Sequence, residues 1–160
     1  MSFLRYFMLL SLVVWLGGLI FLSVVVAPTA FAVLPTRHMA GSVVSRSLTT
    51  LHWMGLVSGL VFLVVSVLYS RVTTGSAHLW AGRHLLVVIM LVLTCVSQFG
   101  ISPRMARLRA SVGEIDNAPL NEPARMQFRA LHAWSTRLEG GVLLAGLGVA
   151  YLTAQSLASQ

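Results

Sequence analysis

From Phe7 to Leu34 the chain carries no charged residue. About 20 apolar residues suffice for a helix to cross the hydrocarbon core of a bilayer. This run is longer than one crossing requires, so its helix is expected to tilt or bend. Pro28 is the expected bend, because proline removes a backbone donor and crowds the preceding turn. Ala30-Phe31-Ala32 resembles a signal-peptide cleavage site. A signal h-region, however, is only about 7–15 residues long. The run is therefore read as a retained helix.

Three further apolar runs follow, Leu48–Tyr69, Leu85–Ile101 and Leu138–Thr153. With their flanks they predict helices over 6–34, 46–70, 83–102 and 122–155, in one domain covering 1–160. Asn121 is the expected N-cap of the last, with Glu122 and Pro123 in its first turn. The expected fold is all-α, a membrane-embedded four-helix bundle. Composition agrees: only 9% of residues are charged and mean hydropathy is +0.85, against about 25% charged in soluble domains. Between the third and fourth runs, Met105, Leu108 and Val112 share a helical face, with Arg104, Arg107 and Arg109 beside or opposite it. This predicts a short interfacial amphipathic helix anchored by headgroups.

The net charge is +7, and every basic residue is arginine. The arginines edge the apolar runs, which points to the lipid bilayer as partner and away from nucleic acid. Cys95 is the sole cysteine, so neither an intrachain disulfide nor a Cys-x-x-Cys site can form. Four crossings place the first and third loops on one face, here called face B. Seven arginines lie there (37, 46, 104, 107, 109, 125 and 129), against Arg5, Arg71 and Arg83 on the opposite face A. The positive-inside rule makes face B cytoplasmic and both termini external, in a multi-pass protein of the bacterial inner membrane.

Polar residues gather toward face B. His52 opens the second helix, Gln98 closes the third, and His132, Ser135 and Glu139 form one stripe on the fourth, extended outward by Arg129. His38, Arg104 and Arg109 join this candidate cluster. Ionisable residues within membrane helices are costly and mark candidate functional sites. The competing reading makes Glu139 and Arg137 solvated or part of a structural clasp. His52 and His132 are candidate ligands for haem or a metal, since imidazole suits both. One helix face cannot supply a nucleophile, base and orienter, so no catalytic triad is expected. Gly55 and Gly59 form a G-x-x-x-G pattern, which predicts close helix approach or a dimer face. Trp80 reads as an interface anchor near His78 and His84.

The stretches Trp15-Leu16-Gly17-Gly18-Leu19-Ile20-Phe21, Ala27-Pro28-Thr29-Ala30-Phe31 and Leu34-Pro35-Thr36-Arg37-His38-Met39-Ala40-Gly41 carry a family likeness. So do Pro103-Arg104 with Arg109, and Phe128, Leu131-His132, Ser135 and Glu139. Together they resemble the transmembrane protein 205-like family. The resemblance implies a four-helix membrane protein with its signature residues on one face, and no established reaction, cofactor or substrate. Many members carry Asn where this chain has Glu139. Three functions compete at this point: small-solute or metal handling at face B, a haem-bearing redox protein, and an accessory subunit of a larger complex. A homo-oligomer is open to any of them.

Overall fold

The structure, a computed structural model, describes residues 2–75, 82–113, 115, 119 and 121–158. Among these, four helical stretches are long and apolar enough to cross a membrane. The outward side chains are apolar along their length, with Val24, Val57, Leu60, Val64, Leu85 and Leu144 all exposed. This is the surface of a protein solvated by lipid, and the chain is a multi-pass membrane protein.

The first stretch comprises α1 (Ser2–Phe21), a π-helical turn (Leu22–Val26) and α2 (Ala27–Val33). The expected bend at Pro28 is corrected here: the irregularity lies in the turn before it. In a regular helix the Pro28 ring would meet the carbonyl four residues back. The π-turn widens that spacing, and the Ala27 amide bonds the Leu22 carbonyl instead.

Only Leu34–Thr36 separates α2 from α3 (Arg37–Thr74). The second helix therefore starts nine residues before the predicted 46. The Thr36 side chain accepts the Met39 amide at 3.2 Å, an N-cap inside the supposed loop. Arg37, His38 and Arg46 are consequently helical.

The third stretch comprises α4 (Gly82–Cys95), a second π-turn (Val96–Ile101) and α5 (Ser102–Val112). The expected interfacial helix exists, but it runs on from the third crossing without a break. Again the π-turn ends two residues before a proline, Pro103, and the Ser102 amide reaches the Ser97 carbonyl. The fourth helix, α6 (Pro123–Ala158), begins at Pro123. The Glu122 carbonyl accepts the Met126 amide, so Glu122 and not Asn121 holds the N-cap position. His78 and Trp80 lie outside the described residues.

Helix α1 packs on α3, and α4 on α6. The core is Met8, Leu12, Trp15, Leu16, Leu19, Phe62, Val87, Met90, Val142 and Val149. The G-x-x-x-G of α3 is filled from within. Trp15, 3% exposed, lays its indole on both glycines. A Cβ on Gly55 would stand 2.7 Å from Trp15 Cε2, and one on Gly59 2.6 Å from Cζ3. Of the two alternatives the pattern offered, this is the close helix approach, made by the chain's own tryptophan.

Candidate functional site

The second π-turn, α3 and α6 meet around His52, which is 2% exposed. Its Nδ1 lies 2.8 Å from Gln98 Oε1 and its Nε2 2.7 Å from Glu139 Oε1. Ser97 Oγ donates to the same Glu139 oxygen at 3.0 Å. Both imidazole nitrogens thus face oxygens. Which of the two nitrogens donates depends on the tautomer of His52. Beside it, Trp53 and Phe99 meet edge to face with centroids 5.8 Å apart, holding the same two elements together.

The π-turn is what turns Ser97 and Gln98 toward the bundle centre together. Such turns recur at functional sites because they re-aim side chains without breaking a helix. Glu139 is reached by the stripe that begins at His132, as the helical spacing predicts.

On the face-B side of Glu139 lies a cavity of about 460 Å³, a size typical of small-molecule sites. All four spanning stretches line it. Leu22 and Phe31 come from the first, Arg37, Gly41, Ser45 and Leu48 from α3, Met105 and Arg109 from α5, and Phe128, Arg129, His132, Ser135, Thr136 and Glu139 from α6. Arg109, on the interfacial helix and in the expected cluster, turns inward. It donates to the Gly41 carbonyl at 3.2 Å and stacks over Phe128, 5.1 Å from the ring centroid. The approach is close: a Cβ on Gly41 would stand 2.8 Å from Arg109 Nη2.

Of the predicted cluster, the cavity wall collects Arg109, Arg129, His132, Ser135 and Glu139, while His52 and Gln98 stand directly behind Glu139. Neither His38 nor Arg104 lines it. His38 Nδ1 is buried, with no hydrogen-bond partner among the described residues. His52 is held by Gln98 and Glu139, whereas His132 lies on the cavity wall. Both His52 nitrogens bond protein side chains, so ligation would have to break one of those bonds. Among the described residues no group of three or more His, Cys, Asp or Glu is gathered for a metal ion.

Arg37, Gly41, Ser97, Met105 and Phe128 were missed. Ser97 adjoins Gln98, and Arg37 could have been found from the Thr36 cap. The others depend on contacts between distant segments. Toward face A, a separate polar group ties the helices. Arg83 donates to Ser156 and Ser70, each at 3.0 Å. Ser66 and His84 bond at 2.8 Å, and Arg5 donates to Tyr69 at 2.8 Å. His84 is therefore a buried structural residue. The apolar core separates this group from face B.

Residues 10–114 match the model of a family described as a domain of unknown function, DUF4149. The chain belongs to the DUF4149 family. The matched DUF4149 region takes in α3 and the second π-turn, hence His52, Ser97 and Gln98, and stops short of α6 and Glu139. No curated protein and no solved structure matches the chain.

Proposed function

We propose that this DUF4149 protein handles a small anionic solute at the face-B end of its bundle, without catalysing a covalent reaction. The cavity carries the reading. Its wall combines Arg37, Arg109, Arg129 and His132 with apolar and hydroxyl side chains. Arg37 and Arg129 are exposed and make no ion pair with a described residue, so both can serve an incoming anion. The helix α3 also presents its N-terminal end there, which favours negative charge.

The arginine excess on face B supports a cytoplasmic opening for this cavity, in the inner membrane of a bacterium. The motifs running from Trp15 to Gly41 support kinship with the transmembrane protein 205-like proteins.

Calorimetric titration of the detergent-solubilised protein with inorganic phosphate tests the reading. Saturable binding is expected, weakened about tenfold in Arg129→Gln and in Arg37→Gln, or about 1.4 kcal/mol each. Absence of binding, or binding indifferent to both arginines, refutes it.

A further inference from the structure

Glu139 divides its two oxygens between the bundle and the cavity. Oε1 is taken by His52 Nε2 and Ser97 Oγ. Oε2 accepts no hydrogen bond from any described residue, although the side chain is only 16% exposed and lines the cavity. A carboxylate oxygen can only accept unless it carries a proton. Facing the cavity, it is an acceptor that a donor there can reach. The cavity therefore has an acceptor at its inner end and arginines at its outer end.

The spacing between these ends follows from the helix. Arg129 and Glu139 lie on α6 ten residues apart, or about 15 Å at 1.5 Å per residue. The cavity walls also include apolar Leu22, Phe31 and Leu48. Arg37 and Arg129 line the cavity while exposed at its mouth, and a guanidinium turned toward Glu139 would shorten the gap a ligand must span.

We propose that the ligand is an elongated ω-substituted carboxylate or similar anion. Its negative end sits among the arginines, an apolar chain lies along the walls, and a hydrogen-bond donor, ammonium or hydroxyl, meets Glu139 Oε2. This rests on the anion reading above and narrows it. A simple anion would satisfy the arginines and leave Oε2 bare. The partial pairing of Glu139 with His52 leaves it one oxygen for recognition while fixing that oxygen's direction.

The test compares hexanoate, 6-hydroxyhexanoate and 6-aminohexanoate by calorimetry on the full chain in detergent. The two donor-bearing probes are expected to bind at least tenfold tighter than hexanoate. In Glu139→Gln, the preference for 6-aminohexanoate over hexanoate is expected to fall to near one. In Arg129→Gln all three should weaken together with the preference intact. Equal affinities of hexanoate and 6-aminohexanoate for the unmodified protein overturn the proposal, as does a preference that survives Glu139→Gln. Phosphate binding without discrimination among the hexanoates overturns this proposal alone. Failure of every probe, phosphate included, overturns the anion reading with it.

Discussion

Replacing Glu139 by leucine removes both bonds at Oε1 and keeps the side-chain bulk. It leaves His52, 2% exposed, and Ser97, fully buried, each without its partner. Hydrogen bonds between membrane helices contribute about 0.6 kcal/mol on average and at most about 1.7 kcal/mol. Two such bonds put the loss at about 1–3 kcal/mol. The pairwise part follows from a double-mutant cycle with His52→Leu. Glu139→Leu should cost less in the His52→Leu background, by about 0.6–1.7 kcal/mol, because the 2.7 Å contact is already gone. Reversible unfolding in bicelles, followed by steric trapping or denaturant titration, reads all four proteins. Ser97→Ala gives an independent arm, with a smaller coupling for its longer 3.0 Å bond. If the His52 and Glu139 losses add within about 0.3–0.5 kcal/mol, the two side chains do not touch and the geometry of the site is wrong.

Gly55→Ala should destabilise the bundle by about 1–3 kcal/mol through overpacking against the Trp15 indole. Trp15→Leu should recover part of that loss in the double variant, which the same unfolding assay would show. Arg109→Ala removes the bond to Gly41 and the stack on Phe128. It should free α5 from the cavity wall, detected as faster amide exchange across Ser102–Val112, and unchanged exchange would contradict this docking. Single cysteines placed at Ser2 and Ser156, in a chain whose Cys95 is replaced by serine, should react with an impermeant maleimide added outside intact cells. A cysteine at Arg104 should not. The opposite pattern reverses the proposed orientation.

The crossings were legible because their signal is local. Charge-free length alone separates Phe7–Leu34 from anything a soluble domain needs. The stripe His132, Ser135, Glu139 was legible too, since helical spacing dictates it. What the sequence hid were the adjustments that depend on two segments at once. Neither π-turn has a composition of its own: Leu22–Val26 and Val96–Ile101 read as ordinary helix, and only the prolines beyond them hint at the widened turns. Arg109 was legible as a member of the face-B cluster, but its seat against the Gly41 carbonyl on another helix was not. Likewise Gly55 and Gly59 announce a close approach without naming the partner, which proved to be Trp15 on the neighbouring helix. His52 and His132 looked equivalent by depth, yet their neighbours give one two bonds and leave the other on the cavity wall.

The π-turn at Leu22–Val26 also sets the phase of everything before it. A widened turn holds one residue more than the regular helix would need. Losing any one of its residues would allow an ordinary α-helix and would barely shorten the span. It would leave α1 nearly in phase with α2, because the widened turn absorbs the extra residue's roughly 100° of rotation. Trp15 would stay on the Gly55–Gly59 groove, and the cost would fall on Pro28, whose ring would then meet the carbonyl four residues back. The same deletion in the regular helix between Trp15 and Phe21 would swing Trp15 about 100° out of that groove, so the turn is the one place in this stretch where the chain can lose a residue and keep its packing.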